Sequence, residues 1–153
     1  MKTLKLGVIV LLLSTSIGLG TGSLAQSKTR FAKAVDIECL ARNIYHEARG
    51  EPLEGQIAVA QVTLNRVASG NFPASVCKVV YAHRQFSWTH GTPKKIKDSK
   101  AWLNSVAIAT AVLTQSVPLP DFKALYFHTK QVKPRWAKTK RVLAVINNHI
   151  FYA

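Results

Sequence analysis

The sequence predicts an α+β domain, with a helical lobe followed by a small antiparallel sheet drawn from the C-terminal third. Three observations lead there. Apolar residues recur at helical spacing over residues 35–48, 53–68 and 100–113. Beyond Pro118 and Pro120 the composition turns to β-branched and aromatic residues, in the runs 124–129, 141–146 and 149–152. Asn147-Asn148 separates the last two runs, and asparagine tolerates the positive φ of a tight hairpin turn.

In the first helix, expected over Val35–Ala48, Ile37, Leu40, Ala41 and Ile44 form one stripe, and Gly50, Glu51 and Pro52 stop it. The second, Leu53–Ala68, carries Ile57, Ala60, Leu64 and Val67 on one stripe and the acidic Glu54 in its first turn, where it suits the helix dipole. Ser69-Gly70-Asn71-Phe72-Pro73 ends it. A short helix is expected over Ser75–Tyr81. A long polar loop over His83–Ser99, of a length that is usually functional or disordered, leads to the alanine-rich helix.

The chain has 153 residues. Lys2 and Lys5 precede an apolar run from Leu6 to Leu13, and small residues lead to Ala25. This is the pattern of a secretory signal peptide over residues 1–25, and the run is shorter than the roughly 20 residues of a bilayer span. Residues 26–33 read as a flexible, basic lead-in, and 34–153 as one domain. No stable membrane span is expected after cleavage. Cleavage also removes two lysines and takes the formal charge from +14 to +12, which favours a polyanionic partner or surface. For an exported protein, anionic envelope polymers are the natural ones. Nucleic acid is not expected, because the basic residues lie in loops without a recognisable module. The two cysteines, Cys39 and Cys77, are expected to pair in an oxidising compartment, with two buried thiols as the alternative.

Few chemistries fit the rest. His46-Glu47 opens like the H-E-x-x-H zinc motif, but Gly50 stands where the second histidine belongs, and no ligand spacing recurs among the five histidines. No metal or other cofactor is expected. There is no G-x-S-x-G, and paired cysteines offer no thiol nucleophile. Carboxylates remain, seven in all, with Glu47, Glu51 and Glu54 clustered at the junction of the first two helices.

Glu47 stands out among them. The periodicity of the first helix puts it on the apolar face, where burial raises a carboxyl pKa and keeps a proton available near neutrality. A general acid for a sugar leaving group needs that property. An ion pair with Arg42, Arg49 or Arg66 is the competing reading, and the pattern leaves both open. Glu51 and Glu54 are possible second carboxylates or helix caps.

The run Ala41-Arg42-Asn43-Ile44-Tyr45-His46-Glu47-Ala48-Arg49-Gly50-Glu51-Pro52, then Glu54-Gly55-Gln56-Ile57-Ala58-Val59-Ala60 and Leu64-Asn65-Arg66-Val67, resembles bacterial cell wall hydrolases of the spore-cortex-lytic enzyme type. The resemblance continues through Phe72-Pro73, Gln85-Phe86-Ser87, Tyr126-Phe127-His128, Pro134-Arg135-Trp136-Ala137 and Asn148-His149-Ile150-Phe151-Tyr152. It implies a lysozyme-like domain acting on the glycan strands of peptidoglycan, with Glu47 as the catalytic acid. The separate peptidoglycan-binding repeat often found beside the domain is missing from this sequence.

Cleavage between N-acetylmuramic acid and N-acetylglucosamine, by lytic transglycosylation, is therefore the expected function. A hydrolytic muramidase and a non-catalytic peptidoglycan-binding envelope protein are the alternatives. Tyr45, Gln85, Ser87, Tyr126 and His128, with Trp88, are candidate substrate-binding residues, since aromatic faces stack on sugars and amides orient N-acetyl groups. Core packing is the competing role for the aromatics.

Overall fold

The computed structural model describes residues 22–92 and 94–153, with side chains described from residue 33. Residues 1–21, most of the expected signal peptide, lie outside the described residues. Among the described residues four α-helices come first: α1 (Gly22–Ala48), α2 (Leu53–Ala68), α3 (Val76–Val80) and α4 (Ser99–Leu113). Three strands follow, β1 (Tyr126–Thr129), β2 (Val142–Ile146) and β3 (His149–Tyr152). Short 3-10 turns occupy Ser87–Thr89 and Arg135–Thr139.

α1 begins earlier than its hydrophobic stripe. The stretch 26–33, expected as a flexible lead-in, has helical backbone continuous with the rest. The sequence offers the reason: between Gly22 and Gly50 there is no glycine or proline, and Ala, Gln, Lys and Arg recur through 25–33. Among the described residues, no helix is long and apolar enough to cross a membrane.

α2 is the central element, with a core on each side. Toward the other helices, Ala60 joins Leu40, Ala41 and Ile44 of α1, Val76 and Val80 of α3, and Ile108, Ala109 and Val112 of α4. Toward the sheet, Ala58, Val59 and Val62 join Ala48, Ala124 and Phe151, with Phe122, Phe127 and Ile146 packed around them. The small side chains of the Ala58-Val59-Ala60 run let both partners approach closely. Asn43 Nδ2 donates to Thr63 Oγ1 at 3.1 Å, and this fully buried pair ties α1 to α2. Cys39 and Cys77 are disulfide-bonded, joining α1 to α3.

The sheet is antiparallel with order β1-β3-β2. Tyr126 faces Tyr152 and His128 faces Ile150 across the first pair, while Ile146 faces His149 across the second. The β2–β3 hairpin turns at Asn147-Asn148, with Asn147 at φ 46°, in the left-handed region that asparagine tolerates. Phe127 and Phe151 point into the core. Tyr126, His128 and Tyr152 sit on the opposite face, beneath Trp136.

Candidate active site

Glu47 occupies the last turn of α1, where the helix runs in between α2 and the sheet. Its carboxyl is largely desolvated. Burial pushes its pKa up to about 7, and the Arg66 charge only partly opposes that. The three arginines that might have neutralised it are engaged elsewhere. Arg42 pairs with Glu38 at 2.9 Å. Arg49 Nη1 donates to the Tyr45 carbonyl at 3.1 Å. Arg66 Nε donates to the Leu125 carbonyl at 2.8 Å.

Arg66 is buried, and its guanidinium lies 5.2 and 5.4 Å from the ring centroids of Phe72 and Phe86. Burial lowers its pKa to about 10, against the pull of Tyr126 and Glu47, so it stays charged at neutral pH. Gln85 and Ser87 flank Phe86, so the loop that carries them is fixed beside Arg66. Ser87 itself is exposed and opens the 3-10 turn; Gln85 is half-buried.

Tyr126 and His128 alternate along β1 and project to one face. Lys140 Nζ stands 3.7 Å from the Tyr126 ring centroid, and Trp136 packs on both Tyr126 and His128. His128 Nε2 lies 2.7 Å from the Tyr152 hydroxyl, and Nδ1 lies 2.8 Å from the Thr129 carbonyl. A carbonyl only accepts, so Nδ1 carries the proton and Nε2 accepts from Tyr152. The result is an aromatic wall with fixed polar edges.

The three neighbouring glutamates and Tyr45 separate clearly. Glu51 reaches across to the hairpin. Its carboxylate accepts from Asn147 Nδ2 at 3.0 Å, from the Asn148 amide at 3.2 Å and from Asn148 Nδ2 at 3.1 Å. Desolvation raises its pKa, but the bonds from Asn148 and Asn147 and the nearby His149 outweigh that, and the net shift is downward. His149 Nδ1 lies 3.6 Å away. Burial holds that imidazole below its ordinary pKa despite Glu51, so the contact is polar rather than an ion pair at neutral pH. Gly55 makes room for this crossing, because a Cβ there would meet Glu51 Cβ at 3.1 Å and Ile146 Cγ2 at 3.6 Å. Glu54 is exposed in the first turn of α2. Tyr45 is buried, and its hydroxyl accepts from the amides of Lys97 and Asp98, both at 3.0 Å.

Residues 50–152 match the family model described as Cell Wall Hydrolase. The chain belongs to this cell wall hydrolase family. It is 35% identical over 119 residues to a spore cortex-lytic enzyme of Oceanobacillus iheyensis, covering 76% of this chain and 41% of that protein. With the spore cortex-lytic enzyme of Bacillus subtilis it shares 33% identity, over 76% of this chain and 37% of that protein. The chain thus spans about two fifths of the length of these curated relatives.

Among solved structures, the fold superposes on the catalytic domain of Bacillus cereus SleB with TM-score 0.59 and 32% identity, covering 77% of this chain and 89% of that one. The catalytic domain of the germination-specific lytic transglycosylase SleB of Bacillus anthracis gives TM-score 0.60 at 32% identity, with 77% and 93% covered. The lysozyme-like α+β architecture expected from the sequence is therefore that of solved members of the cell wall hydrolase family.

Sequence reasoning gave Arg66 no role beyond a possible ion pair, and it passed over Phe86, Trp136 and Lys140. The blocks Asn65-Arg66-Val67, Gln85-Phe86-Ser87 and Pro134-Arg135-Trp136-Ala137 held all of them except Lys140, but nothing in their order reveals that they converge.

Proposed function

We propose that this member of the cell wall hydrolase family cleaves peptidoglycan glycan strands between N-acetylmuramic acid and N-acetylglucosamine, with Glu47 as general acid and then base. One observation carries the reading: Glu47 is a desolvated carboxyl with a pKa of about 7 and, among the described residues, no ion-pair partner. Such a group is protonated in part at neutral pH and can donate to a glycosidic oxygen. Cleavage then leaves an oxocarbenium-like muramic sugar.

The second step favours lytic transglycosylation. Glu51 is bound to the hairpin and Glu54 faces solvent, so neither supports the role of a second, water-activating carboxylate. The ionised Glu47 instead takes the proton from the C6 hydroxyl of the muramic sugar. That oxygen attacks C1, and a 1,6-anhydro end forms. The Bacillus anthracis relative is a germination-specific lytic transglycosylase, which supports the same outcome.

In this reading the Tyr126–His128–Trp136 wall supplies faces for sugar rings, and Gln85 and Ser87 supply polar contacts from the neighbouring loop. Tyr45 acts through positioning, since its hydroxyl already holds two amides. The reading includes export, directed by residues 1–25, and work at the cell wall. End-group analysis tests it. Mass spectrometry of fragments released from purified peptidoglycan is expected to show anhydromuramyl ends. Reducing muramic ends would indicate hydrolysis, and binding without release would indicate a non-catalytic protein.

A further inference from the structure

A cavity of about 330 Å³ opens beside the end of α1, lined by Tyr45, His46, Arg49, Trp88, Lys94, Lys95 and Lys97. Four of its lining residues are cationic and none is acidic. Nearby carboxylates do not compensate them. Asp98 caps α4 through the Ala101 amide at 2.9 Å, and Glu38 pairs with Arg42. Among the described residues none of the four cations has an ion-pair partner within 4.0 Å. Like charges gathered around one cavity repel, and an anion in the cavity relieves that repulsion.

Part of the lining is held in place, while the side chains of Lys94, Lys95 and Lys97 are exposed. Arg49 is held by the Tyr45 carbonyl, with its guanidinium 4.9 Å from the Tyr45 ring centroid. The Tyr45 hydroxyl anchors the Lys97 and Asp98 amides. His46 stacks on Trp88 at 4.5 Å. Burial, and then the charges of Arg49, Arg42 and Lys94, keep the His46 imidazole below its ordinary pKa, so it adds a neutral polar group rather than a further cation.

Glu47 does not line the cavity, but the chain links the two places. His46 precedes Glu47 in α1, and one loop serves both places, with Phe86 on Arg66 and Trp88 on His46. A glycan strand crossing Glu47 carries a lactyl-linked peptide on each muramic sugar, and that peptide bears carboxylates. The stem consumes the lactyl carboxyl as an amide and supplies several carboxylates of its own, whereas a stripped muramic sugar offers only its single lactyl carboxylate.

We propose that this cavity is a subsite for the carboxylates of the peptide stem, so that the substrate class is stem-bearing rather than stripped glycan. The inference rests on the reading of Glu47 as the acid of a peptidoglycan cleft, because that reading lays a muramic sugar beside the cavity.

Binding tests the subsite without requiring turnover. The purified protein carrying Glu47→Gln is titrated calorimetrically with a soluble disaccharide-tetrapeptide, with the same compound after amidation of its carboxylates, and with the disaccharide whose lactyl carboxyl is capped as an amide. Amidation is expected to weaken binding about tenfold, the combined effect of several partly exposed ion pairs. Adding Lys94→Gln, Lys95→Gln and Lys97→Gln is expected to erase that difference. Circular dichroism checks the fold. If the triple variant does not fold, Lys95→Gln alone is expected to narrow the difference, and raised salt to narrow it further.

Equal affinity for all three compounds overturns the subsite, as does a preference that survives these substitutions. So does a wall teichoic acid that binds more tightly than the muropeptide through the same lysines. Wild-type protein that shows the stem preference yet releases nothing from peptidoglycan overturns the catalytic reading alone.

Discussion

Arg66 turns its Nε to the Leu125 carbonyl, at 2.8 Å, and so stops short of an ion pair with Glu47. Its charge still reaches the carboxyl and moderates the effect of burial. Glu47 is left with a pKa near neutrality, neither pulled down to the range of a paired carboxylate nor raised as far as burial alone would take it. Removing the positive charge with Arg66→Gln is expected to raise the Glu47 pKa further. The alkaline limb of kcat/KM against pH, set by loss of the Glu47 proton, should move to higher pH. An unmoved limb would disconnect the two residues.

The same burial costs stability. The unfolded chain ionises Glu47 near 4.5 and the folded chain near 7. Between those values the folded state holds more protons, so stability falls as pH rises through the window. At 1.36 kcal/mol per pKa unit the loss approaches roughly 3 kcal/mol above pH 7. Glu47→Gln removes it. Urea unfolding at pH 8 is expected to find the variant more stable than wild type, with the advantage shrinking toward pH 4.

Glu51 behaves in the opposite sense. Its folded pKa is lowered, so its contribution is full above the unfolded value and is lost as pH falls through the folded one. Glu51→Ala leaves the Asn147 and Asn148 side-chain amides and one backbone amide without their acceptor. The expected cost is about 2–3 kcal/mol at neutral pH, measured by denaturant unfolding, and it should narrow in acid. Glu51→Gln, which keeps one acceptor oxygen, should lose less and should retain activity if the hairpin stays in place.

Much of the fold was legible. Helices α2 and α4 follow their apolar stripes, and the β2–β3 hairpin follows Asn147-Asn148 between two β-rich runs. The start of α1 was not legible, because residues 26–33 carry no apolar stripe and their helical propensity is a local signal. Glu47 was legible as a carboxylate on the apolar face. Its freedom from an ion pair was not, since that depends on Leu125, distant in sequence, offering Arg66 a carbonyl. Glu51 read equally well as catalytic or structural, because its partners lie 96 and 97 residues away.

Reducing the Cys39–Cys77 disulfide, which closes a span of 38 residues, is expected to cost about 4 kcal/mol by the chain-entropy relation. On the order of 10 °C should be lost from Tm. Calorimetry with and without reductant, and on Cys39→Ser/Cys77→Ser, checks it. An unchanged Tm would mean that packing between α1 and α3 suffices.

The most direct measurement compares the rate of fragment release from purified peptidoglycan by wild type and by Glu47→Gln at pH 6, where most of the wild-type acid is protonated. The account expects a loss of about 10²–10⁴-fold in a variant that is folded and no less stable. Release at the wild-type rate by the folded variant would contradict it.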